Sequence, residues 1–445
     1  MEFKLGNLKN KIRDYVPLIL FMACYCVLII KLDVNYGDEV ILAELYKDKN
    51  VYDAWKLMTS QWAPPSLGIV IQYFFIKNPI WIFKVTYFFI MWLIFHSLNK
   101  MINNEKDIYV KYILLIYCLL YPILRMNSAG WMVTSIVYIF PLSMGLYCFT
   151  SISDIFFNKR TNKIIILIAL LFALTNPQLS LISMGVNAFF SIYFIVMKEK
   201  KYKFFVIQAI LSLISVLIQF TSKGYSLRYV AEIQRWFPDF RMLSLIEKIN
   251  LGISNSMVSL ICNHSILMLF FTTVMIVYIY NYNRNMYDKV IATIPLLFIV
   301  VFGFLRNIMN DVFPSLVSGL INHRKIMIEN YDSIISYVPI GLILLFLFCI
   351  CMSLYNIFED KKIGILTVLI FIAGFLSTMV LALSPTIYAS AERIFIFFDF
   401  SIIMCAAYAT KEFFKKISIN SKDNIISFAL VVSCIQFVQY LCFVN

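Results

Sequence analysis

Charge is scarce in this 445-residue chain: 14% of its residues are Asp, Glu, Lys or Arg, against 61% hydrophobic. A water-soluble domain carries about 25% charged residues. The chain therefore lacks the polar atoms to cover itself in water, which excludes soluble function and leaves the bilayer as its solvent. Histidine is nearly absent, with only His96, His264 and His323. No CxxC pair occurs, and every cysteine except Cys262 lies in an apolar run. That excludes a zinc cluster or a disulfide framework and leaves cysteine as a small buried hydrophobe. No GxxxxGK[ST], GxGxxG or GxSxG motif is present, so neither a nucleotide loop nor an acyl-hydrolase elbow is indicated. The apolar runs hold almost no ionisable residue in their interiors, Lys84 and Asp399 excepted. Nor do the two halves carry matching Gly/Pro-broken helices. Both absences weigh against an ion-coupled transporter.

What the chain has is long apolar stretches. A membrane span needs about 20 mostly apolar residues. The candidates are 15–31, 79–98, 112–126, 135–152, 164–177, 180–197, 204–221, 264–282, 289–305, 334–356, 363–383, 394–410 and 424–443. The expected fold is an all-α polytopic membrane protein of about 13 transmembrane helices, one transmembrane domain over residues 1–445. The piece 65–77, broken by Lys77-Asn78-Pro79, is too short to span comfortably and reads as an interfacial or re-entrant helix. The first run follows Lys4, Lys9, Lys11 and Arg13 without a small-residue cleavage site, as in a retained signal anchor.

The net charge of +13 does not call for nucleic acid, because the basic residues sit in short loops between apolar runs. With the N-terminus placed inside, the loops 1–14, 99–111, 153–163, 198–203, 283–288, 357–362 and 411–423 are cytoplasmic. Their basic density is roughly three times that of the opposite loops, as the positive-inside rule requires. The plasma membrane is the expected location. The outer side then receives the long segments 32–78, 222–263 and 306–333, plus the short 384–393. Their aromatic content, as in Trp55, Trp62, Tyr225, Tyr229, Trp236 and Phe237, suits interfacial helices rather than disorder.

Candidate chemistry gathers in those outer segments. Gly37-Asp38-Glu39 places adjacent carboxylates just past the first span, with Asp33 upstream. Each raises the other's pKa unless compensated, which suits a general base or a divalent ligand such as Mg or Mn. The same spacing also suits a helix N-terminus, with Asp38 as N-cap and Glu39 favoured by the dipole. Arg393, near Ser384-Pro385 and Glu392, has the fork geometry for phosphate, or pairs with Glu392. Arg125 precedes Trp131, Tyr138 and Pro141; Trp131 and Tyr138 are candidate substrate contacts and equally suit an interface belt. Gln178 follows Asn176-Pro177 in a connection that also reads as a tight turn. Lys223, Arg228, Arg235, Arg241 and Lys248, with His323, Arg324 and Lys325, form outer-face basic groups suited to anionic lipid heads, or a solvated face balanced by Glu232, Asp239 and Glu247.

This layout resembles the GT-C superfamily of membrane glycosyltransferases, and looks most like bacterial polytopic families related to O-antigen glucosyltransferases. The resemblance covers the architecture of most of the chain. In motif it rests on Asp38-Glu39, on Trp131 with Tyr138 and Pro141, and on Ser384-Pro385 with Arg393. Many relatives carry paired aspartates where this chain has Gly-Asp-Glu. The resemblance implies a polyprenyl-phosphate-linked sugar donor and a glycan or lipid acceptor on the outer face, among membrane lipids. Asp38 or Glu39 would act as base or metal ligand. Arg393, with Arg125 or Arg228, would meet the leaving phosphate, and the carboxylates and Arg393 would share one outer pocket. A polymerase of lipid-linked repeat units also fits the span count, as does a flippase of lipid-linked glycans or a non-catalytic assembly factor. Polymerases need no carboxylate pair after the first span.

Overall fold

A computed structural model describes residues 2–103, 107–156, 159–263, 265–282, 285–321 and 334–444. Among the described residues all regular structure is helical and there is no strand. Among the described residues, ten helices are long and apolar enough to cross a membrane, or up to eleven if one bent pair counts as a single span. The protein is thus a multi-pass α-helical membrane protein, with fewer full-length spans than the 13 expected. Two expected spans, 112–126 and 164–177, hold the helices Ile108–Leu120 and Lys163–Ala173, of 13 and 11 residues. At 1.5 Å per residue these reach only about 20 Å, short of the roughly 30 Å hydrocarbon core. The first stops at Tyr121-Pro122, the second before Pro177, where the missing N–H and the proline ring bar continuation.

The chain sorts into two compact units, residues 1–228 with 418–445, and residues 229–417. In the first unit α1 (Glu2–Lys31) is followed by three short helices, α2 (Asp38–Tyr46), α3 (Val51–Gln61) and α4 (Leu67–Lys77), and then by α5 (Ile80–Ile102). The Lys84 ammonium donates to the carbonyl of Ile30 at 2.8 Å, and that of Lys31 to the carbonyl of Leu441 at 3.2 Å. The end of α1, the start of α5 and the end of the last helix, Ile419–Phe443, therefore lie at one level. Residues 32–79 leave and return at the same end of the unit, so the 65–77 piece makes no net crossing. Lys84, read from sequence as a charge inside a span, sits in the second turn of α5. It neutralises the C-terminal carbonyls of α1, where the helix dipole favours a cation.

The opposite end of this unit gathers other loops. Lys111 donates to the Asp14 carbonyl, the Tyr109 hydroxyl to Asp423, Lys100 to Asp154 at 2.7 Å, and Lys201 to the Ile155 carbonyl. These contacts draw on 1–14, 99–111, 153–163, 198–203 and 411–423, the loops that the charge pattern groups together.

In the second unit the contacts also form two sets. Glu359 pairs with Lys416, Asn356 donates to Asp288 at 2.9 Å, and the Tyr282 hydroxyl donates to the Lys416 carbonyl. Elsewhere, Phe237, Phe240, Leu243 and Leu251 of the 222–263 segment close a core with Ile387. That segment is more than an interfacial loop. Its second half, Leu245–Ile261, is an apolar helix that joins Ile266–Tyr282 across an 80° bend. A capping box starts it: Ser244 Oγ accepts from the Glu247 N–H while Glu247 accepts from the Ser244 N–H.

Candidate functional site

The site is built where α2 meets the loop before the 26-residue span Trp131–Phe156. Gly37 opens α2 with φ +65°, a backbone that glycine adopts without strain. The turn is tight against the neighbouring loop: the Asp38 N–H donates to the Ala129 carbonyl at 3.0 Å, and a Cβ on Gly37 would meet that oxygen at 2.7 Å. The Tyr36 hydroxyl donates to the Asn127 carbonyl at 3.3 Å. Burial, and then the charge of Glu39, push the Tyr36 phenol well above its ordinary value.

The two adjacent carboxylates separate completely. Asp38 is exposed, whereas Glu39 is 4% exposed. Glu39 Oε1 accepts from the backbone N–H groups of Met132 and Val133, at 2.5 and 3.3 Å. Those are the second and third residues of the Trp131–Phe156 span, the positions that an N-cap side chain serves. The residue in the N-cap position, Gly130, has φ +102° and no side chain, so Glu39 caps this helix from another segment. Only glycine fits there, because a Cβ on Gly130 would fall 1.9 Å from Glu39 Oε2. That Oε2 is buried without a hydrogen-bond partner. Burial raises the Glu39 carboxyl from 4.5 to about 7, against the lowering pull of the Met132 and Val133 amides; Asp38 adds a small raising push. Asp38 is thus not the N-cap of its own helix, as its position in the sequence suggested. Gly37 holds that place without a side-chain cap.

The surroundings are packed. Leu42 and Tyr46 of α2, Ala54 and Met58 of α3, and Ile69 of α4 form one core with Val133. Trp131 is completely buried, with its indole N–H unpartnered, so it serves packing and presents no face to a ligand. Immediately beyond lies a wider π-type turn, Ser135–Ile139, a form frequent at functional sites. Its Val137 carbonyl accepts from the Asn176 side-chain amide at 3.0 Å. Asn176 also caps the helix Pro177–Val196 by accepting from the Leu179 N–H at 3.2 Å. The Asn176-Pro177-Gln178 connection is therefore a capped helix start that fixes the π turn, with Gln178 buried behind it. Tyr138 is half-buried in that turn, and Arg125 is buried in the short 3-10 turn Ile123–Asn127.

One residue that the sequence placed only among the interfacial aromatics is Trp62. Its ring lies 5.2 Å from the Arg228 guanidinium, in the cation–π arrangement. Gly224 allows this by bringing the start of the helix Lys223–Trp236 against the Thr59 and Ala63 carbonyls. The Lys/Arg and Trp spacings in sequence do not reveal it, since the two residues lie more than 160 positions apart.

Arg393 belongs to the second unit, where it is half-buried at the start of the helix Ile396–Lys416. Its neighbour Glu392 accepts from the Asn263 side-chain amide at 2.5 Å. Ser384, Thr386 and Ser390 join in a hydroxyl chain, with Ser384 to Thr386 at 2.8 Å and Ser390 donating to Thr386 at 3.0 Å. Tyr388 packs on Phe237. His264, His323 and Arg324 lie outside the described residues.

The two carboxylates differ in what they offer: Asp38 is exposed, and Glu39 Oε1 is taken by backbone amides. Glu39 is engaged by two backbone amides, and among the described residues no three His, Cys, Asp or Glu side chains converge. No family model, curated protein or solved structure matches this chain.

Proposed function

We propose that the chain is an inverting membrane glycosyltransferase that moves one sugar from a polyprenyl-phosphate donor to a glycan or lipid acceptor. The observation that carries this reading is the Asp38 carboxylate, exposed at the mouth of the segment after the first span while its neighbour is locked into the fold. In the proposed step Asp38 takes the proton from the acceptor hydroxyl. That oxygen attacks the anomeric carbon, the bond to the lipid phosphate breaks, and its electron pair stays on the phosphate. A base must stand within about 3 Å of the hydroxyl it deprotonates, and such a group contributes roughly 10²–10⁴-fold in rate. Arg228, half-buried over Trp62, is the cation for the developing phosphate charge, with the exposed edge of Trp62 beside the sugar. Arg125, buried in the Ile123–Asn127 turn, is the second cation proposed for that charge.

The basic end of the first unit, with Lys100, Lys111 and Lys201, faces the cytoplasm in this reading, so Asp38 faces the outside. Membranes with and without the chain, supplied with tritiated glucosyl polyprenyl phosphate, test the proposal. The expected product carries one added sugar of inverted anomeric configuration. Extension by whole repeat units would favour a polymerase, and no chain-dependent transfer from any lipid-linked sugar would remove the reading.

A further inference from the structure

We propose that Glu39 is a positioning residue: by capping the Trp131–Phe156 span from outside it, Glu39 fixes the direction in which Asp38 presents its carboxylate. Three independent contacts converge on this. The Met132 and Val133 N–H groups hold the Glu39 carboxylate, the Ala129 carbonyl holds the Asp38 N–H, and the Asn127 carbonyl holds the Tyr36 hydroxyl. Residues 36–39 therefore clasp residues 127–133 at three successive points. Both glycines of the clasp are forced by contact. A side chain on Gly37 would strike the Ala129 carbonyl, and one on Gly130 would strike the Glu39 carboxylate.

Adjacent residues near the start of a helix diverge by about 100°, so seating one carboxylate inward turns the other outward. The pairing Asp-Glu thus divides labour. The longer side chain reaches the amides of the neighbouring helix, and the shorter one stays at the surface. An enzyme loses rate steeply when a reacting group is misplaced by about 1 Å, so the clasp has a catalytic consequence without Glu39 touching substrate. That consequence rests on the glycosyl-transfer reading; the clasp itself does not.

The test has two arms on the full-length protein in membranes or detergent. Hydrogen exchange reads the clasp alone. Glu39→Ala is expected to raise exchange at the Asp38, Met132 and Val133 amides at least tenfold. Gly130→Ala, which leaves both carboxylates in the chain, is expected to do the same. Glu39→Gln keeps a carbonyl acceptor and is expected to retain the protection. Unchanged protection in Glu39→Ala overturns the proposal.

Transfer from tritiated glucosyl polyprenyl phosphate reads the consequence. Glu39→Ala and Gly130→Ala are expected to lower kcat more than tenfold with little change in KM, and Glu39→Gln to recover most of that loss. In an Asp38→Asn background, Glu39→Ala is expected to cost nothing more, because Glu39 acts through Asp38. Equal losses in both backgrounds overturn the positioning role. If Asp38→Asn leaves transfer intact while the exchange results stand, the base assignment falls and the clasp survives as architecture.

Discussion

Replacing Glu39 by Gln should make the protein more stable near neutral pH, although it removes a charge from a helix N-terminus. The Glu39 carboxyl is 4% exposed and protonates at about 7 rather than at the ordinary 4.5. Ionising it in the fold therefore costs about 3 kcal/mol more than in the unfolded chain. The raised value fixes the sign. The folded protein binds this proton more tightly, so the associated stability is fully present below about pH 4.5. It falls as pH rises and is lost above about 7. Glutamine offers a neutral carbonyl to the Met132 and Val133 amides and has no such pH dependence. The unfolding midpoints of wild type and Glu39→Gln should coincide near pH 4 and separate in favour of the variant by pH 8, by up to about 3 kcal/mol. Denaturant unfolding of the detergent-solubilised protein, followed by tryptophan fluorescence at several pH values, measures the gap. Parallel pH profiles for the two proteins would show that the buried ion carries no such cost, and the argument would fail.

Lys100→Met should destabilise the fold by roughly 3 kcal/mol, because the Asp154 carboxylate it pairs with at 2.7 Å is nearly inaccessible and would be left as a buried charge. Adding Asp154→Leu should recover most of that loss, and a thermal melt of both variants checks it. Gly224→Ala should cost about 1–3 kcal/mol, since its Cβ would lie 2.5 Å from the Ala63 carbonyl, which cannot move without the helix end it terminates. Lys84→Gln should leave transfer activity intact and lower stability by about 1 kcal/mol or less, because Lys84 serves only the end of α1.

The apolar runs made the membrane class and most spans legible, because hydrophobic length is a property of the sequence itself. Of the two shortfalls, the one at Ile108–Leu120 comes from Tyr121-Pro122, whose helix-stopping effect the hydrophobic run concealed, and the one at Lys163–Ala173 lies ahead of the Asn176-Pro177 turn that the sequence did mark. The grouping of loops was also legible through Lys and Arg, and the contacts of Lys100, Lys111 and Lys201 gather the same loops at one end of the first unit. The site was legible only in part. Gly-Asp-Glu marked the turn that opens α2, but which carboxylate faces out depends on a distant partner, the bare helix start at Gly130. Trp131 read as an interface anchor or a substrate contact and proved to be completely buried. The Trp62–Arg228 pair depended on Gly224, whose closeness to α3 leaves no trace in local composition.

The central claim is that an exposed carboxylate at position 38 removes the acceptor proton. Sugar transfer by Asp38→Asn, in protein that keeps wild-type amide protection at Met132 and Val133, tests it most directly. A fall of at least 100-fold in kcat with the clasp intact is the expected result. Transfer at the wild-type rate by that same protein would contradict it.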